Sequence, residues 1–217
     1  MKEKSLLISF SGGRTSAFMA RMIQVSPFYK DYKKHYVYAN TGKERQETLD
    51  FVKAVADNFD MPVVWVEAVI DPVIGNGTRH KVVNYETAIV NTDEDQPIWD
   101  AMIKKYGLPT NAFPYCTREL KDAAIRSYMR SIGQGKNDYL TAIGIRADEA
   151  HRKNQYFYPL IDLNIDLKCV RNFWERQSFD LGLKDYEGNC DLCFKKSKKK
   201  RLTILKENPE WGDFWAG

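Results

Sequence analysis

The stretch from Leu6 to Ala17 constrains the fold of this chain more than any other. An apolar run, Leu6 to Phe10, stops at Ser11-Gly12-Gly13, and a helix-compatible stretch, Thr15 to Ile23, follows at once. That order is strand, tight turn, helix. Paired glycines carry no Cβ, so the backbone there lets a ligand approach closely. The first N–H groups of a helix have no partner within it, and the dipole at that end favours an anion. Ser11, Gly12, Gly13 and Ser16 therefore read as a phosphate cradle. A Gly-Gly turn that binds nothing fits the same pattern equally well. The loop is not a Walker A motif, because no Gly-Lys-Ser or Gly-Lys-Thr closes it.

The next segments repeat the alternation. His35 to Ala39 reads as a second strand and ends at Asn40-Thr41-Gly42. A helix follows from about Arg45 to Asn58, with Leu49, Val52, Val55, Ala56 and Phe59 on one stripe, and Met61 to Val66 is a third strand. Strands alternating with helices imply parallel pairing with right-handed crossovers. The fold class expected is α/β, a parallel twisted sheet with helices on both faces. Ligands in such sheets bind at the carboxyl ends of the strands, where both Ser11 to Ser16 and Asn40 to Glu44 fall.

The middle of the chain is less regular. Asp71 to Lys81 reads as a loop, Pro97 to Tyr106 as a short helix, and Thr117 to Ile132 as a long amphipathic helix stopped by Gly133. Tyr139 to Ile145 is a further strand, followed by the charged stretch Arg146 to Lys153. Leu167 to Gln177 and Lys195 to Lys206 read as helices. One domain over 1–217 is expected, with 163–217 as a C-terminal helical extension carrying cysteines.

The hydrophobic fraction of 43% suffices for one core, and the apolar runs are too short to cross a bilayer. A cytoplasmic chain with no membrane partner is expected. The net charge of +4 does not demand nucleic acid, although Lys195 to Arg201 is a locally intense basic cluster.

Four cysteines in such a chain suggest metal or redox chemistry rather than disulfides. Cys190-Asp191-Leu192-Cys193 is a CxxC, whose two thiolates can wrap one metal or one cluster, or form a redox pair. Cys116 starts the long helix, where a thiolate is favoured, and supplies a third ligand. Cys169 reads as a core thiol. Arg118 and Lys121, three apart, would share a face of that helix and reach one anion. Arg146 and Arg152 offer planar forks suited to phosphate or sulfate, or else form a solvated loop with internal ion pairs.

Six motifs occur in order: Ser-Gly-Gly-x-x-Ser from Ser11; Thr-Gly from Thr41 with Glu47-Thr48-Leu49 behind it; Cys-Thr-Arg-Glu-Leu-Lys from Cys116; Gly-Ile-Arg-x-Asp-Glu from Gly144; Tyr-Pro-Leu-Ile-Asp from Tyr158; and the CxxC. Taken together they resemble the PAPS-reductase-like branch of the PP-loop ATP pyrophosphatases over almost the whole chain. The resemblance implies an adenine nucleotide alpha hydrolase-like fold. It implies ATP or a PAPS-like adenine nucleotide with Mg²⁺, and phosphates held by Ser11, Gly12, Gly13 and Ser16. Thr41, Gly42, Gly144 and Arg118 would complete the nucleotide site. Arg14 stands where many relatives have lysine, and with Lys121, Arg146 and Arg152 it would serve catalysis.

Two departures direct the chemistry. Sulfonucleotide reductases attack sulfur with a cysteine near the C-terminus, and no cysteine follows Cys193. Cluster-bearing reductases show a Cys-Cys pair where this chain has Tyr115-Cys116. The expectation is therefore attack on the ATP α-phosphate, with pyrophosphate release and adenylation or thiolation of an acceptor. The acceptor is a nucleic acid or a small molecule, and a sulfur-donor protein is an implied partner. Cys116, Cys190 and Cys193 would hold a [4Fe–4S] cluster, with Zn²⁺ as the alternative. A reductase served by an external, thioredoxin-like thiol and a non-catalytic nucleotide- or nucleic-acid-binding module are the other readings.

Overall fold

The computed structural model describes residues 4–188 and 190–216. Residues 1–3, Asn189 and Gly217 of the expected domain lie outside them. Strands β1 (Lys4–Phe10), β2 (Tyr32–Asn40), β3 (Val63–Val69), β4 (Arg79–Val83) and β5 (Tyr139–Ile143) form one sheet in the order β4-β3-β2-β1-β5. The β1–β2, β2–β3 and β1–β5 pairs are parallel, and β4 is antiparallel to β3. The protein is thus α/β with a mostly parallel sheet. The chain steps outward from β1 to β3, then returns to place β5 on the other side of β1. The order reverses between β1 and β5, which opens a crevice at their carboxyl ends.

Side chains alternate along each strand, so each sheet face receives its own core. Leu6, Ile8 and Phe10 of β1 join Tyr36 and Tyr38 of β2 on one face. Helices α1 (Arg14–Val25) and α2 (Gln46–Asn58) cover that face through Met19, Ile23, Phe51 and Val55. Leu7, Val37 and Val66 point the other way. There they meet α3 (Pro97–Tyr106) and α4 (Ala124–Ser131) through Trp99, Met102, Ile125 and Met129. Burying one such side chain is worth about 1.5–3 kcal/mol, so the two faces together hold the sheet in place.

Three expectations are corrected. Residues 79–81, expected as the end of a loop from Asp71 to Lys81, form part of β4. It is an exposed edge strand with Arg79, His80 and Lys81, so its apolar alternation is weak. The helix expected from Thr117 to Ile132 is wound as a π-helix over Cys116–Ala123 before α4 begins. The basic helix starts at Lys198, where Ser197 caps it by accepting from the Lys200 N–H, not at Lys195.

The chain then runs through α5 (Pro159–Asp162) and α6 (Leu167–Trp174) to α7 (Lys198–Glu207) and α8 (Asp213–Ala216). This extension is not set apart from the sheet. Val170, Trp174, Leu181 and Leu183 belong to the first core, while Cys190, Phe214 and Trp215 belong to the second. It wraps from one face to the other. No helix among the described residues is long and apolar enough to cross a membrane.

Candidate functional site

The loop after β1 is closed by Ser16. Its hydroxyl donates to the Gly13 carbonyl (2.9 Å) and accepts from the Ser11 N–H (3.1 Å), with the Ser11 hydroxyl 2.9 Å away. The helical ladder begins with Ala17 N–H to Gly13 O at 3.0 Å, so the N–H groups of Arg14, Thr15 and Ser16 precede it. The N-cap residue, Gly13, has no side chain to satisfy them.

The two glycines do different work. Gly12 has φ +76°, and a Cβ there would lie 2.7 Å from Thr48 Cγ2, so it is a packing and turn residue. Gly13 has φ −103° and ψ 160°, open to any residue, and its Cβ direction meets nothing nearer than Ser11 Oγ at 3.8 Å. Gly13 faces a cleft of about 780 Å³. A Cβ on Gly144 would sit 2.9 Å from Ser16 Cα, so the loops after β1 and β5 are in direct contact. Gly144 acts by letting them close.

The structure divides the residues expected to form one site into two groups. Ser11, Gly13, Arg14, Ser16, Gly144, Arg146 and Arg152 line the cleft. Gly12 lies behind it, against Thr48 and Tyr38. Thr41, Gly42 and Arg118, expected beside a nucleotide, and Lys121, expected to serve catalysis, are not among the residues that line this cleft. Thr41 is buried; its N–H and hydroxyl donate to the Glu44 carboxylate, and its hydroxyl lies 3.5 Å from Cys190 Sγ. Gly42 turns at φ +82° beneath Ile89 and Gln96. Arg118 and Lys121 do not share a face. A π-helix, bonded from i to i+5, has more residues per turn than an α-helix, so residues three apart point in different directions while those four or five apart come onto one side. Lys121 is thereby brought to Cys116 and to Glu44 (3.7 Å), whereas Arg118 lies on the rings of Tyr106 and Tyr115.

The cleft arginines are not free. Arg14 grips Asp180 with two 2.6 Å bonds, which hold the Asp180 carboxyl below its usual range, and donates to the Leu183 carbonyl at 3.2 Å. Arg146 makes two 2.9 Å bonds to Asp148, reaches Thr15 Oγ1 at 3.2 Å and pairs with Glu149. Arg152 donates to Glu149 at 2.6 Å. The far wall, which sequence motifs do not mark, comes from the extension: Arg171, Trp174, Asp180, Leu183, Lys184 and Gly188. Trp174 Nε1 donates to the Arg14 carbonyl at 3.0 Å and pins this wall to the start of α1. No local pattern could have signalled a pair such as Arg14 and Asp180, which lie far apart in the chain.

Two residues beyond Gly188, the same segment enters a second cavity of about 430 Å³. Cys116, Cys190 and Cys193 line it with Trp99, Arg201 and Trp215. Cys169, by contrast, is exposed on α6, which corrects its reading as a core thiol. Burial pushes the Cys116 and Cys190 thiols up, and the nearby Lys121 only partly opposes it, so neither is the ready thiolate that a helix start and a basic tail suggest. Among the described residues no group of three or more His, Cys, Asp or Glu is arranged to hold a metal ion. The donor chemistry nevertheless suits an electron-rich group. Among the described residues Trp99 Nε1, Trp215 Nε1 and Arg201 Nε are buried donors without a hydrogen-bond partner, and three sulfurs line the same space. Burial disfavours a charged Lys121 amine, and the Glu44 carboxylate 3.7 Å away opposes it by favouring the ammonium form.

Over 207 residues the sequence is 34% identical to the uncharacterized nin region protein ORF290 of Escherichia phage lambda, a match covering 93% of this chain and 69% of that protein. The chain belongs to the family of that phage protein. No protein-family model matches the chain, and no solved structure does.

Proposed function

We propose that this chain is an ATP-dependent PP-loop enzyme that cleaves its nucleotide at the α-phosphate, releases pyrophosphate and adenylates or thiolates an acceptor. The observation that carries the reading is Gly13. It stands at the start of α1, at the crevice between β1 and β5, with its missing side chain directed into open cleft. A phosphate placed there meets the leading N–H groups of α1 and the Ser11 and Ser16 hydroxyls.

The charge balance suits such a ligand. Arg14, Arg146, Arg152, Arg171 and Lys184 line the cleft against Glu149, Glu175, Asp180 and Asp185. An entering phosphate would take N–H groups from carboxylates that already orient the arginines. Charge-assisted bonds of this kind are worth about 1.5–3 kcal/mol each. Mg²⁺ would neutralise the leaving pyrophosphate and be held mainly by the phosphates, as that ion usually is.

Cys116, Cys190 and Cys193 would hold a [4Fe–4S] cluster, or Zn²⁺, with the orphaned Trp99, Trp215 and Arg201 donors supporting its electron-rich ligands. Such a centre would carry or activate sulfur. The segment through Gly188 and Cys190 walls both the cleft and the cavity, so a substrate activated in one lies beside the other.

The test is pyrophosphate release from ATP by the anaerobically purified chain with Mg²⁺. Release that disappears in Gly13→Val supports the reading. Absence of release, with sulfite produced instead from a sulfonucleotide and thioredoxin, would replace it with a reductase.

A further inference from the structure

On the surface beside the cysteine cavity, three aromatic rings are stacked in parallel. Phe113 lies over Tyr115 at 5.9 Å and 13°, and Tyr115 over Tyr106 at 5.5 Å and 24°. The buried pairs Phe51–Trp174 and Tyr38–Trp65 meet edge-on instead. Phe113 ends the stack and is 60% exposed. It is held by a turn in which its N–H donates to Thr110 Oγ1 (3.1 Å) and its carbonyl accepts from the Thr110 and Tyr115 N–H groups (3.0 and 2.8 Å). The guanidinium of Arg118 sits 5.0 Å from the Tyr106 ring centre and 4.9 Å from that of Tyr115, with half of its side chain in solvent.

We propose that this stack is a docking platform for an unpaired base of a single-stranded nucleic acid, the acceptor strand of the reaction proposed above. A flat, fixed, solvent-facing ring takes the face of an unstacked base, and a neighbouring arginine adds a cation–π contact. Charge supplies the second argument. Lys195 Nζ donates to Thr117 Oγ1 at 3.3 Å, directly beyond Cys116, and Lys198 and Arg201 rim the cavity with Leu108 and Pro109. A strand leaving the platform therefore runs its phosphates over cations toward the three thiols. A duplex cannot use this surface, because its base faces are covered. The proposal deepens the enzymatic reading by naming its acceptor, but binding to the platform does not require the ATP chemistry.

The experiment is fluorescence anisotropy of the full chain with a labelled single-stranded oligonucleotide of about 15 nucleotides, as DNA and as RNA, and with the matching DNA duplex, at two salt concentrations. Single strands should bind more tightly than the duplex. Phe113→Ala and Arg118→Ala should each weaken them roughly tenfold, with Phe113→Trp retaining affinity. The DNA and RNA arms show which strand is preferred. ATP affinity should be unchanged in Phe113→Ala. Binding to duplex as tight as to single strands, or Phe113→Ala binding like wild type, would overturn the platform. Pyrophosphate release can persist in that case, so the two failures are distinguishable.

Discussion

The backbone of Ser16 leaves no room for a side chain at residue 144: a Cβ on Gly144 would lie 2.9 Å from Ser16 Cα and 3.1 Å from its N. The contact joins the first strand's loop to the last strand's loop. It sets the width of the crevice in which the cleft residues meet. Backbone atoms cannot swing aside as a flexible side chain can. Gly144→Ala should therefore cost about 1–3 kcal/mol, the usual range for overpacking. A lowered urea midpoint at unchanged slope is the expected result, and a wild-type midpoint would mean that the loops are not in contact.

The two glycines of the cradle should separate in mutagenesis. Gly12→Ala puts an L-residue at φ +76° and drives its Cβ against Thr48, so a loss of about 1–3 kcal/mol is expected. Gly13→Ala is unstrained, and its gain of about 0.4–1 kcal/mol through the unfolded chain is offset by alanine being the poorer N-cap, so stability should change little. Thermal unfolding of both variants checks this; equal losses would contradict it.

The Arg14–Asp180 clamp should make the far wall acid-sensitive. Its bonds lower the Asp180 pKa in the folded state. A depressed carboxyl contributes its full stabilisation above its unfolded value of about 3.9 and loses it as pH falls through the folded pKa. Wild type should exceed Asp180→Asn in urea midpoint at pH 7, and the gap should narrow below about pH 4. A gap that is the same at pH 3 and pH 7 would show that the pair contributes nothing through its charge.

Much of this architecture is legible in the sequence, because it depends on local pattern. Leu6 to Phe10 and Pro97 to Tyr106 carry the apolar patterns that burial demands, and the strand expected from Tyr139 to Ile145 forms over Tyr139–Ile143. The turn from Ser11 to Ser16 between β1 and α1 is legible because glycine spacing is local too. Where the reading fails, the cause is tertiary. β4 is a polar edge strand made by pairing with β3. The π winding at Cys116 moves Arg118 away from Lys121, and no residue type announces that. Thr41 stands at a strand end as expected, yet it turns to Glu44 and Cys190 because the extension fills the space beside it. The far wall, from Arg171 to Gly188, is set by contacts with α1 distant in sequence.

The cysteine cavity makes a compositional prediction. Chain purified without oxygen should contain about four iron atoms, or about one zinc, and Cys116→Ser should lose most of that metal. Elemental analysis beside an absorption spectrum decides it. Equal metal content in wild type and Cys116→Ser would remove Cys116 from the centre.

The central claim is that the loop Ser11 to Ser16 holds the phosphates of an adenine nucleotide. Calorimetric titration of ATP with Mg²⁺ into wild type and Gly13→Val tests it most directly, since residue 13 points into the cleft and its φ and ψ suit valine. The account predicts saturable binding to wild type and none to a Gly13→Val chain that melts like wild type. Equal ATP affinity for the two proteins would contradict it.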